Sequence, residues 1–154
     1  MTTKSNTIPQ TMEAALLAWQ RTKPTVPKKG KAQYGKYSKL EDVMLVCDTA
    51  EKFGIVYYQE NNFEVHDGLI VEFIVTHMIH EPSGKERTSR TLVKVKDITN
   101  PQAMGSGITY AKRYGLQAMF GLASDDDGND ATGSASANNT AKKRLTRTND
   151  TGDF

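Results

Sequence analysis

The sequence predicts an α+β domain: a three-stranded antiparallel sheet with a long helix packed on it and two shorter helices ahead of the strands. Three observations carry this. Apolar residues recur at helical spacing in two early stretches and in one long late stretch. Between them, from residue 55 to 96, three runs are rich in β-branched and aromatic side chains. Glycine, proline and asparagine fall where these stretches should begin and end.

In chain order, Ile8, Met12, Leu16 and Trp19 share one helical face, and Thr7 with Pro9 offers a start, so a first helix is expected from about Pro9 to Arg21. The stretch 22-TKPTVPKKGKAQYGKY-37 holds prolines, glycines and many lysines and reads as an extended, solvated loop. Ser38-Lys39-Leu40-Glu41 reads as a capping box opening a second helix, in which Leu40, Val43, Met44, Cys47 and Ala50 line one face and Gly54 is the stop. IVYYQE, 69-LIVEFIVTHMIH-80 and 85-KERTSRTLVKVK-96 are the three strands, and Glu81-Pro82-Ser83-Gly84 is a turn that makes a hairpin of the last two. Strand alternation puts Arg90, Leu92, Lys94 and Lys96 on one face of the third strand, which is therefore largely basic. Asn100-Pro101 opens the last helix, which runs to Phe120 before Gly121. One stripe is Met104, Ile108, Ala111, Gly115 and Met119, and a polar stripe is Gln102, Ser106, Thr109, Arg113 and Gln117.

The 154 residues, with 37% hydrophobic and 8% aromatic content, suffice for one core. Residues 1–130 form the expected domain. Residues 131–154 are small and polar and are expected to be a disordered tail, in which Lys142, Lys143, Arg144 and Arg147 form a small basic cluster. The single cysteine, Cys47, excludes an internal disulfide and suits a reducing compartment. No stretch approaches the roughly 20 apolar residues of a membrane span, and the polar start MTTKSNTIPQ has no hydrophobic signal region, so a cytoplasmic location is expected. The net charge of +2 conceals two poles. From Arg21 to Lys39 stand seven cations and no acid, whereas Asp125, Asp126, Asp127 and Asp130 cluster after the last apolar segment.

Two motifs, 34-YGKYSKLEDV-43 and 105-GSGITYAKRYGLQAMFGLASDDDGN-129, together resemble the essential recombination function (ERF) family of phage single-strand annealing proteins. Gly105, Ser106, Thr109, Tyr110, Arg113, Tyr114, Leu116 and Gly121 match the family's helix, and Asp125 to Asn129 match its Asp-Asp-Asp-Gly-Asn. Tyr34, Lys36, Tyr37, Leu40, Asp42 and Val43 match its earlier segment. Gly107 replaces a usual alanine, and Lys112 replaces the first of two arginines, which keeps the charge but not a bidentate fork. The resemblance implies a sheet crossed by a helix, similar to the annealing domains of eukaryotic recombination mediators. It also implies annealing of complementary single strands in homologous recombination by rings or filaments, in the host cytoplasm if phage-encoded. An exonuclease or a single-strand binding protein is a candidate partner.

Each candidate residue has a functional and a bland reading. Lys28, Lys29, Lys31, Lys36 and Lys39 track a phosphate backbone, with Tyr34 and Tyr37 stacking on bases, or they form a solvated loop with Tyr37 anchoring the next helix. Lys112 and Arg113 contact phosphates while Tyr110 and Tyr114 pack or stack. The glycines either admit a close backbone or serve helix-on-sheet packing. Arg90, Lys94 and Lys96 are expected to complete the same DNA groove. The run Asp125, Asp126 and Asp127 fails as a calcium loop, because Ser136 stands where a closing glutamate is required, and it reads as structural or intersubunit acid. His77 and His80 fall on opposite strand faces, which is not zinc-site geometry. No phosphate loop or Ser/His/Asp arrangement is present, so neither ATP, another cofactor nor a metal is expected, and no bond chemistry. The alternatives to annealing are passive coating of single strands and a metal-dependent nuclease.

Overall fold

In the computed structural model, which describes residues 7–32 and 35–123, the chain runs α1 (Met12–Gln20), β1 (Gly30–Ala32), β2 (Gly35–Tyr37), α2 (Leu40–Asp48), β3 (Ile55–His66), β4 (Leu69–His80), β5 (Lys85–Leu92) and α3 (Pro101–Phe120). The α+β expectation holds, with strands β3, β4 and β5 antiparallel in that order and α3 laid across them. Among the described residues no helix is long and apolar enough to cross a membrane.

Local chemistry sets the boundaries. Thr11, four residues after the expected Thr7, caps α1 by accepting the Ala14 amide, so the helix begins at Met12 and leaves Ile8 to pack beside Gly54. α2 starts at Leu40, one residue later than a cap at Ser38 implies, with Lys39 at the N-cap position and no capping bond from the Lys39 side chain. A single 3₁₀ turn, Thr49–Phe53, extends α2 before Gly54 ends it at φ +78°. Asn100 caps α3 by accepting the amides of Gln102 and Ala103, Pro101 takes the first position, and Gly121 closes the helix at φ +65°, all as read from sequence.

The strands differ more. β3 continues past Glu60 to His66 and turns into β4 through Asp67-Gly68, both at positive φ, as a two-residue type I′ hairpin requires. The solvated stretch before α2 contains a short ribbon, β1 against β2, that places Lys31 directly opposite Lys36. The third strand ends at Leu92 rather than Lys96, although Val93 still donates its amide to the Glu72 carbonyl.

The core lies at the C-terminal end of α3. Trp19, Phe120 and Tyr57 meet edge to face, with Phe120 centroids 5.2 Å from Trp19 and 5.5 Å from Tyr57. Met12, Val43, Cys47, Ile55, Met78 and Leu116 fill around them. Before its C-terminal end α3 rides close on the sheet and on the segment that follows β5. A Cβ on Gly115 would lie 2.7 Å from Thr76 Oγ1, and one on Gly107 2.5 Å from Val95 Cγ1. These two glycines are packing requirements.

Burial, followed by the nearby Asp48 charge, pushes the Cys47 thiol up from 9.0 to about 12. The unfolded thiol ionises near 9 while the folded one keeps its proton, so stability falls as pH rises above 9 and this loss is complete near 12. Iodoacetamide should therefore leave Cys47 unmodified at pH 8 in the native protein and alkylate it rapidly in urea. Alkylation at equal rates in both states would contradict the burial.

Candidate nucleic-acid interface

The N-terminal half of α3 and the entry to α2 enclose an open cleft of about 560 Å³, lined by Tyr37, Lys39, Leu40, Gln102, Gly105, Ser106, Thr109, Tyr110 and Arg113. The polar stripe Gln102, Ser106, Thr109 and Arg113 thus faces one space, because helical periodicity keeps these positions on one side. Gln117 leaves the stripe. It is buried and donates to the Ala123 carbonyl.

Arg113 organises the cleft. Its Nη1 donates to the Ser38 carbonyl at 2.8 Å, and its guanidinium carbon stands 5.3 Å from the ring centres of Tyr37 and Tyr110 and 5.0 Å from that of Tyr114. Those distances fall within cation–π range. One guanidinium therefore joins β2, the start of α2 and two turns of α3. Tyr37 is half-buried and its ring lies over Gly30, where a Cβ would come 2.6 Å from it. This ring both anchors the ribbon and lines the cleft. Tyr110 is 55% exposed, whereas Tyr114 is half-buried and 4.2 Å from it, so the two tyrosines have separate surroundings.

The basic candidates divide among several places. Lys31 and Lys36 are exposed and paired across the ribbon, where like charges directly opposite repel unless an anion sits between them. Lys39 lines the cleft at 3.7 Å from Glu41. Lys28 is exposed. Lys29 is bound at 3.2 Å to Asp42, a buried carboxylate on α2, and lines a separate cleft of about 470 Å³ beneath the proline-rich segment. Lys112 faces a third cleft, of about 460 Å³, between α2 and the free edge of β3 together with Asp48 and Glu51, and its carbonyl accepts from Gln59 Nε2. Leu40 lines both this cleft and the first.

The structure turns Arg90, one of the third-strand cations, away from that side. Thr91 lies under Gly115 of α3, so its neighbour Arg90 projects from the opposite face of the sheet. There Arg90 covers the Phe73 ring at 3.8 Å and bonds Glu64, whose carboxyl is held below its ordinary range mainly by that bond. Lys94 and Lys96 are exposed beyond the end of β5. Pairing across the sheet had no signal in a single strand's alternation.

The histidines separate as expected. His77 stacks on Tyr58 on the open face with Glu86 at 2.6 Å, while His80 is buried against Ser83. Among the described residues no group of three metal-ligating side chains converges. Tyr34, the Asp125 to Asp127 run and the tail lie outside the described residues.

The sequence put Gln102, Ser106, Thr109 and Arg113 on one polar stripe and offered Tyr110 for packing or stacking and Gly105 for a close backbone, but it gave no binding role to Gln102, Ser106 or Thr109. The available signal was that Gln102, Ser106 and Thr109 share a helical face with Arg113. In comparison with known proteins, the family model described as the ERF superfamily matches residues 12–152. Neither curated proteins nor solved structures give a match.

Proposed function

Because the chain belongs to the ERF superfamily, we propose that it binds single-stranded DNA and anneals complementary strands as a multimer, without ATP. Family membership supports a recombination or strand-annealing type of function in general. The finer reading is supported chiefly by one observation: Tyr37 and Lys39, from one matched motif, and Gly105 to Arg113, from the other, line the same cleft although some 70 residues separate them in sequence.

The ribbon carries the electrostatics. A phosphate between Lys31 and Lys36 relieves their repulsion and releases condensed counterions. Neutralised strands approach one another with less repulsion, and a multimer presents many bases at once. The work is positioning rather than bond chemistry.

Mixing labelled complementary oligonucleotides tests this. Duplex should form faster with the protein than without it and in the absence of nucleotide. Slower duplex formation identifies a passive coat, and strand shortening with magnesium identifies a nuclease; either result overturns the proposal. Lys31→Ala and Lys36→Ala should each reduce the slope of log affinity against log salt by roughly 0.7, the contribution of one phosphate on a single strand. Slopes unchanged in both variants would remove the ribbon from the interface.

A further inference from the structure

We propose that the cleft between α2 and α3 receives one unpaired nucleobase of the bound strand, seated over Gly105 and stacked on Tyr110; this rests on the single-strand binding proposed above. Three glycines interrupt the interior of α3, and each weakens the helix relative to alanine. Gly107 and Gly115 are explained by Val95 and Thr76, which leave no room for a Cβ. Gly105 is not: a Cβ there would meet nothing within 4 Å, and the residue is exposed on the cleft wall. No packing within the described residues accounts for it. A group from outside that must approach the helix backbone closely does account for it.

The lining indicates what that group is. Around Gly105 the wall is neutral and polar: Gln102 offers both a donor and an acceptor, Ser106 a hydroxyl, and the Thr109 hydroxyl donates to the Gly105 carbonyl while its own lone pairs remain available to accept. The two cations of the wall are already engaged, Arg113 by the Ser38 carbonyl and three tyrosine rings and Lys39 by Glu41. A phosphate seeks free positive charge, which lies outside on the Lys31–Lys36 ribbon. A base seeks neutral hydrogen-bonding groups and a ring to stack on, and Tyr110, more than half exposed, supplies the ring. The cleft, at about 560 Å³, is in the range of sites that hold small organic ligands. The phosphates then run along the ribbon while one base turns inward and its neighbours stay open for pairing.

Binding of the full chain to an ordinary oligodeoxyadenylate and to an abasic strand of equal length, at one salt concentration, tests this. The ordinary strand should bind about tenfold more tightly, the scale of one stacked base. Gly105→Leu, which enters open space in the free protein, should narrow that difference, as should Tyr110→Ala, and 2-aminopurine in the strand should lose fluorescence on binding wild type but not Tyr110→Ala. Thermal melting of each variant checks that it is folded. Equal affinity of wild type for the two strands overturns the proposal. So does Gly105→Leu that retains the full difference, including the case in which it changes only the size of the assembly, which would assign the glycine to a subunit contact. Binding of neither strand removes the single-strand reading itself.

Discussion

Arg113→Ala is expected to weaken single-strand binding by about tenfold or more while leaving its salt slope unchanged. The side chain donates a charged hydrogen bond to the Ser38 carbonyl and stands within cation–π distance of Tyr37, Tyr110 and Tyr114. A bond of this kind is worth about 1.5–3 kcal/mol, and its loss frees the ribbon, the start of α2 and the exposed Tyr110 ring from one another. Affinity then falls because the cleft loses its shape, about tenfold for each 1.4 kcal/mol. The number of phosphates neutralised does not change. Arg113→Lys separates this from direct contact: an ammonium keeps the charge but has no planar face or fork. If Arg113 positions the cleft, lysine should behave almost as poorly as alanine. If lysine restores wild-type affinity, or if alanine lowers the slope by roughly 0.7 as a phosphate ligand does, then Arg113 touches the strand directly. Arg113→Ala should also lower stability by about 2 kcal/mol, so binding is compared well below both melting transitions.

What the sequence revealed and what it concealed divide along one physical line. Helix ends governed by local chemistry were legible: Asn100-Pro101 and Gly121 bound α3 because caps and proline act within one turn. The three-stranded sheet was legible because β-branched runs are long enough to pair. The β1–β2 ribbon was not, since five of its six residues are glycine, lysine or alanine with little β propensity, and it forms through the Tyr37 ring over Gly30 and the contact of that ring with Arg113. Asp67-Gly68 did carry a hairpin signal, and a strand ended at Glu60 leaves it unused. In the site, composition located the lysines but not the face they occupy. Alternation put Arg90 and Thr91 on opposite sides, yet only the packing of Gly115 on Thr91 decides that Arg90 points away from α3. Arg113 read as a phosphate ligand because its partners, Ser38 and Tyr37, are 75 and 76 positions away.

Trp19→Ala is expected to lower stability by about 3–5 kcal/mol and the melting midpoint by about 10 °C or more, without changing strand affinity below the transition. Trp19 is 1% exposed, donates through Nε1 to Thr49 Oγ1 at 2.9 Å and meets Phe120 edge to face. Truncation leaves a large cavity between α1, the 3₁₀ turn and the end of α3, and such a loss is a large share of the 5–15 kcal/mol that holds a domain together. Trp19→Phe keeps most of the ring and loses the hydrogen bond, so it should cost clearly less. Phe120 and the cleft occupy opposite ends of the same helix, with Gly115 seated on the sheet between them and Gly107 on the segment that follows β5. While the domain is folded, those seats fix the cleft independently of the aromatic cluster. Affinity of Trp19→Ala equal to wild type at low temperature, together with an early and single melting transition, is the result expected of one cooperative unit. Weakened binding by the folded variant would mean instead that the register of α3 on the sheet is set from its Phe120 end, and that the glycine contacts follow it.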